Sequence, residues 1–300
     1  MRKHVCFVMA AVMAGCVIMG CSPKSAETGN NTSAVQSEQA ESKEDKPSAE
    51  TESKEEDSSS TAAKEESAEE ILVAAAASLK NAYEDELIPM FQEKNPGITV
   101  KGTYDSSGKL QTQIEEGLEA DVFMSAAQKQ MKALDEEGKM ISDTITDLLE
   151  NKIVLIVPVG GEDGFSSFKD IRKAESIALG DPESVPAGQY AKEALTSLGI
   201  WDSIQDRVSF GTNVTEVLNQ VGAASADAGI VYATDAASLA DKVHVVAEAP
   251  EGSLQQKVIY PVGVIAATEH EEAAKAFVEF LQTPEAMAVF EAYGFSAGKF

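Results

Sequence analysis

The sequence predicts an α/β fold in which parallel-rich sheets are flanked by helices and shared between two lobes. Two observations carry this. From Ile71 onward short β-rich runs alternate with helical patterns, the signature of parallel strands covered by helices. Two long β-rich runs, "NKIVLIVPV" and "KVIYPVGVIAA", interrupt that alternation late enough for the chain to leave one lobe and return to it.

The elements follow in order. Ile71–Ala75 reads as the first strand, and "LKNAYEDELIPMFQEKN" follows with Leu79, Ala82, Tyr83, Leu87 and Phe91 on one helical stripe. Pro96-Gly97 closes that helix. Ile98–Tyr104 leads into "KLQTQIEEG", and Asp121–Met124 into "AAQKQMKALDEEG". Ile153–Val157, Ile177–Leu179, Val208–Phe210, Ala228–Val231, Val243–Ala247 and Val258–Ala266 are the remaining predicted strands. Between them "AGQYAKEALTSLG" and "VTEVLNQVG" end near glycine, a usual helix stop. The helical patterns "EEAAKAFVEFLQ" and "PEAMAVFEAYG" end the chain, and no short period repeats. The expected lobes are 71–152 plus 262–300, and 153–261.

Ahead of the folded part, residues 1–21 carry Arg2, Lys3 and His4 before an apolar core, the pattern of a secretory signal. The apolar run of about 15 residues is short for a membrane span, although a non-cleaved anchor is the alternative. The segment ends in Ile18-Met19-Gly20-Cys21, which resembles a bacterial lipoprotein processing site and implies lipidation of Cys21. Residues 22–70 are Ser, Glu, Lys, Thr and Ala with almost no large apolar residue. They read as a disordered linker, of the length found in Gram-positive lipoproteins. The protein is therefore expected outside the cytoplasm, tethered to the outer face of the cell membrane.

Composition excludes several functions. All three cysteines lie in the leader, so disulfides, thiolate catalysis and cysteine metal sites are absent from the folded part. Its only histidines are His244 and His270, which gives a zinc or iron site little to build on. The formal charge of −26 argues against nucleic acid, and no basic run offsets it. No phosphate-loop or dinucleotide motif occurs, so no cofactor is expected. Gly294-Phe295-Ser296-Ala297-Gly298 matches the G-x-S-x-G nucleophile elbow. It follows a helix, however, and only two residues remain for a later Asp and His.

Several predicted strands end in small or hydroxyl residues that open a helix: Ala77-Ser78, Ser106-Ser107-Gly108, Pro186-Ala187-Gly188 and Thr212-Asn213-Val214. A helix start exposes unpaired N–H groups and a partial positive charge, so convergent starts can hold an anion without a cationic side chain. Each taken singly also reads as an ordinary cap. Ser125 with Gln128 and Asn213 with Glu216 have capping-box spacing, and Tyr232 fits a core edge.

"AAAASLKNA", "YDSSGKLQTQIEEGLEADVFMSA", "ALGDPESVPAGQYAKEALTSLGIWD" and "AGIVYATDA" together resemble the molybdate-binding proteins of bacterial molybdate ABC importers, from about Ile71 to Phe295. The resemblance implies a two-lobed periplasmic binding protein type II fold, no enzyme activity, and molybdate or tungstate held in a cleft between lobes. Molybdenum would enter only as the oxyanion, with no protein–metal bond. It further implies Ser78 and Ser107 as hydroxyl and N–H donors, Ala187 and Val214 as N–H donors, and Tyr232 as a phenol donor. The implied partners are an ABC permease and the membrane through the lipid anchor, with the protein a monomer. A receptor for sulfate or another oxyanion is the alternative, and an α/β hydrolase a more distant one. Asp105 departs from the small neutral residue common in the family and is expected to point outward; turned inward it would repel the anion and weaken the tetrahedral reading, since a related tungstate/molybdate group uses carboxylates in a six-coordinate centre.

Overall fold

The computed structural model describes residues 69–298. The leader, Cys21 and most of the linker lie outside them. The elements in chain order are β1 (Glu69–Ala76), α1 (Lys80–Ala82), α2 (Ile88–Lys94), β2 (Ile98–Asp105), α3 (Ser107–Glu115), β3 (Val122–Met124) and α4 (Gln128–Glu136). Then come β4 (Thr146–Asn151), β5 (Ile153–Pro158), β6 (Ile177–Gly180), α5 (Pro186–Ser197), β7 (Val208–Gly211), α6 (Val214–Gly222) and β8 (Ala228–Tyr232). The chain closes with α7 (Ala233–Ser238), β9 (Val243–Glu248), β10 (Val258–Val264), α8 (Glu271–Leu281), α9 (Pro284–Ala292) and β11 (Ser296–Ala297).

The strands form two sheets, one for each lobe. The first has the order β11-β4-β10-β3-β1-β2, and the second β7-β6-β8-β5-β9. In the first, β1 runs parallel to β2 and β3, while β10 lies antiparallel between β3 and β4. In the second, β6 runs parallel to β7 and β8, and β5 is antiparallel to β8 and β9. The buried runs explain this placement: Val73–Ala76 and Ile153–Val157 show no polar face, as strands covered by helices on both sides require.

The long run "NKIVLIVPV" splits between the sheets at Lys152. The Lys152 N–H donates to the Asn151 side-chain oxygen at 2.8 Å, so the backbone leaves the ladder with its donor satisfied. β4 itself reads TDLLEN, with only Leu148 and Leu149 apolar, so it carries no strand pattern and only its last residue belongs to that run. The return crossing falls between β9 and β10; β10 pairs with the first sheet throughout, so the lobe change expected at 262 lies earlier in the chain. The nucleophile-elbow match is the edge strand β11, paired with β4, and Gly298 N–H donates to Leu148 C=O. A strand-to-helix turn is what the elbow needs, and it is not here.

The first helical run is uneven. Between α1 and α2 the chain makes a π turn over Tyr83–Leu87, just before Pro89. Proline has no N–H for the carbonyl four residues back, and its ring crowds that carbonyl, so the ladder widens there. Tyr83 and Phe91 still reach the core, against Phe277 at 6.0 and 5.0 Å between ring centroids.

In the second lobe α5 lies close on β6. A Cβ added at Gly188 would sit 2.1 Å from the Gly180 carbonyl oxygen and 2.5 Å from its carbon. Both are backbone atoms, so no side chain can turn aside. Gly188→Ala is expected to lower stability by about 1–3 kcal/mol, read as a lower urea midpoint. An unchanged midpoint would mean that the helix lifts freely from the strand.

Candidate functional site: an interlobe cavity lined by helix starts

The parallel strands of both sheets end toward one another, where ligands of open α/β sheets gather. β1 ends at Ala76, β2 at Asp105, β3 at Met124, β6 at Gly180, β7 at Gly211 and β8 at Tyr232. Just past those ends lies a small cavity, about 10 Å³ for the centre of a water-sized sphere. That is about the least space that holds one water, well below the ~300–1,000 Å³ of pockets for organic ligands. Ser78, Ser107, Ala187, Val214 and Tyr232, separated by up to half the chain, all line it.

Three helices of 9, 12 and 9 residues begin at the cavity: α3, α5 and α6. Ser107 and Val214 are first residues, whose N–H groups have no intrahelical acceptor. α5 begins with Pro186, which has no N–H, so Ala187 supplies its first donor. Ser78 lies in the 3-10 turn Ala77–Leu79 and caps nothing. Its Oγ instead meets the Tyr260 hydroxyl at 3.0 Å.

The hydroxyls are set as donors by their neighbours. Asn151 Nδ2 donates to Tyr260 OH at 3.2 Å, leaving the phenol free to donate to Ser78 and the Ser78 proton free for the cavity. Ala126 N–H donates to Ser107 Oγ at 2.9 Å, which frees the Ser107 proton in the same way. Tyr232 OH donates to Ala126 C=O at 3.2 Å across the lobes. Burial holds the Tyr232 and Tyr260 phenols well above their usual ionisation range, so both keep their protons.

The lining has no Lys, Arg or His, and Ala76 and Ala77 keep its wall low. Two further lining residues with polar side chains, Ser106 and Asp105, were not among the five singled out from sequence. Ser106 is buried, and its hydroxyl oxygen has no hydrogen-bond partner. Asp105 lines the cavity rather than standing clear of it. Its Oδ1 accepts from Ser106 N–H at 2.8 Å, Lys109 Nζ at 3.3 Å and Asn213 Nδ2 at 3.3 Å. The doublet "SS" was the only sequence sign of Ser106, and nothing local marks Asp105 as paired with a residue of the other lobe.

Of the two capping boxes expected, Ser125 forms none. α4 starts at Gln128 behind Ala127, and Ser125 Oγ donates to Ala127 C=O at 2.7 Å. Asn213 does cap α6, accepting from Glu216 N–H at 3.0 Å; the Glu216 carboxylate reaches back one residue further, to Thr212. The lobes also touch through Gly108 N–H to Ser184 C=O at 3.0 Å and Gln130 Nε2 to Gln189 Oε1 at 3.1 Å. Gln130 Oε1 and Gln189 Nε2 are buried without a partner.

A larger hollow of about 810 Å³ lies in the first lobe around Leu72, Asp121, Lys139 and His270. Its buried carboxylate, Asp121, is already held by Leu72 N–H at 2.6 Å and by the Thr268 hydroxyl, so it ties loops together. Among the described residues no group of three or more His, Cys, Asp or Glu could hold a metal ion.

Residues 71–296 match the family model described as bacterial extracellular solute-binding protein. The chain belongs to this family. As a member it is a substrate-binding protein of two-lobed fold and not an enzyme. A putative ABC transporter substrate-binding lipoprotein, YvgL of Bacillus subtilis, is 43% identical over 221 residues, 74% of this chain and 84% of the relative. The molybdate-binding protein ModA of Haemophilus influenzae is 38% identical over 229 residues, 74% and 87% of the two chains. A solved substrate-binding domain of a putative molybdenum ABC transporter from Clostridium difficile is 40% identical with a TM-score of 0.60. That alignment covers 77% of this binding protein and 99% of that chain.

Beside the cavity, the buried Asp235 accepts from Tyr232 N–H at 3.1 Å. Burial pushes its carboxyl up to about 7 from the ordinary 3.8, against the smaller downward pull of that hydrogen bond. The folded state therefore binds this proton more tightly than the unfolded chain does. The stability it contributes is present below the unfolded value and is lost as pH rises through about 7. Asp235→Asn is expected to flatten the fall in denaturation midpoint between about pH 4 and pH 8. Equal slopes for the two proteins would contradict the raised value.

Proposed function

We propose that this protein is the extracytoplasmic receptor of an ABC importer and captures molybdate, and tungstate with it, between its lobes. The observation that carries this reading is the meeting of three helix starts and inward-set hydroxyls around one small cavity without a cationic side chain. The names of the relatives support it. In this reading Ser78 and Ser107 donate hydroxyl protons, Ala187 and Val214 donate N–H groups, and Tyr232 turns to the ligand the proton it gives Ala126 C=O here. Ser106, whose hydroxyl is buried and unpartnered, joins them.

A fully deprotonated oxyanion only accepts hydrogen bonds, which suits such a set. Hydrogenphosphate carries a proton that needs an acceptor; Asp105 Oδ1 already serves three donors, and Asp105 Oδ2 accepts from Lys109 Nζ at 3.4 Å. An unmatched buried polar group costs about 1–3 kcal/mol, or roughly tenfold to over a hundredfold in affinity. Sulfate is donor-free like molybdate, so only the size of the closed cavity would separate them. Ligand favours the closed form because donors from both lobes reach it only there.

Calorimetric titration with molybdate, tungstate, sulfate and phosphate tests the reading. Molybdate and tungstate are expected to bind far more tightly than phosphate, and sulfate more weakly than molybdate. No binding of any oxyanion would end it, and sulfate binding as tight as molybdate would make the protein a general oxyanion receptor. Tyr232→Phe is expected to weaken molybdate binding by about 1–2 kcal/mol; an unchanged affinity returns the phenol to the core. The tether is tested separately. Labelled fatty acid should attach to the wild type and not to Cys21→Ala, which is expected to escape into the medium.

A further inference from the structure

We infer that Asp105 and Asn213 form a latch that holds the lobes closed over the ligand. Asp105 ends β2 in the first lobe, and Asn213 precedes α6 in the second. Asn213 Nδ2 donates to Asp105 Oδ1 at 3.3 Å, across 108 positions of sequence. The amide uses both its ends. Its oxygen accepts from Glu216 N–H at 3.0 Å and caps α6, while its nitrogen reaches the other lobe. The helix start that presents Val214 to the cavity is thereby tied to the opposite wall.

The carboxylate is prepared for this contact before closure. Ser106 N–H and Lys109 Nζ, both of the first lobe, hold the same oxygen at 2.8 and 3.3 Å. Lys109 lies one helical turn on and offsets the negative charge that would otherwise face an incoming anion. The carboxylate thus faces the cavity side with its repulsion reduced, and the bond to Asn213 forms only when the lobes meet. Such a bond acts on escape rather than on encounter, so it sets residence time.

The inference rests on oxyanion capture between the lobes, and its test separates the two. Molybdate association and dissociation are followed by stopped-flow fluorescence for the wild type, Asp105→Ala, Asn213→Ser and the double variant. Serine keeps the α6 cap but is too short to reach Asp105. Each single variant is expected to raise the dissociation rate roughly tenfold with little change in association, and the double variant no more than either single one. Asp105→Asn, which retains an acceptor oxygen, is expected to stay near the wild-type rate. Unchanged dissociation in the single variants, or additive effects in the double one, overturns the latch while molybdate capture stands. Tighter binding by both Asp105→Ala and Asp105→Asn also overturns it, because the carboxylate would then only repel. If the wild type binds no oxyanion, the capture reading falls, and small-angle scattering decides the latch alone. A larger radius of gyration for Asp105→Ala than for the wild type supports it, and equal radii overturn it.

Discussion

The N–H groups at a helix start have no partner within the helix, and this structure buries three such starts in one place. The rest of the site follows from that constraint. Buried donors must meet an acceptor or lose free energy, and strands ending at Asp105, Gly180 and Gly211 aim α3, α5 and α6 at a shared point. Side-chain cations would overfill such a place and add a long-range field. A chain of net charge −26 instead offers fixed dipoles that act over a few ångströms. Small residues are then a requirement: larger side chains at Ala76 or Ala77 would occupy the space that the donors serve.

The hydroxyls extend the same logic toward the chain crossings. Asn151, beside the first crossing, donates to Tyr260 and to Thr234 Oγ1, at 3.2 and 3.0 Å. Tyr260 in turn touches Ser78, and its ring stands edge-on to Tyr232 at 5.4 Å. A single buried network therefore joins the place where the lobes are connected to the place where they meet. Movement of one lobe would disturb the orientation of these hydroxyls.

Much of this was legible in the sequence, for identifiable reasons. β5 and β8 are uninterrupted apolar runs, β1 is one from Ile71 onward, and "VPAG" announces a helix start with proline first. Ser78 and Ser107 looked locally like caps, and only the family resemblance raised them above that. What was not legible depends on partners distant in sequence. β4 carries only two apolar residues, Leu148 and Leu149, and is a strand because β10 and β11 pair with it. Asp105 looked like a charge to be turned away; its acceptance of Asn213 is a fact about the other lobe. Ser125 had capping-box spacing but lies too early, since Ala127 is the cap residue of α4.

The facing glutamines give the closed form a property of a different kind. Gln130 and Gln189 spend one hydrogen bond on each other and leave an oxygen and a nitrogen buried and unserved. Each orphaned atom costs about 1–3 kcal/mol, a cost that solvent removes when the lobes part. The pair therefore makes contact between α4 and α5 less favourable than its packing alone would be. The imperfect amide pair thus sets a cost on lobe contact that every bond across the cleft has to outweigh.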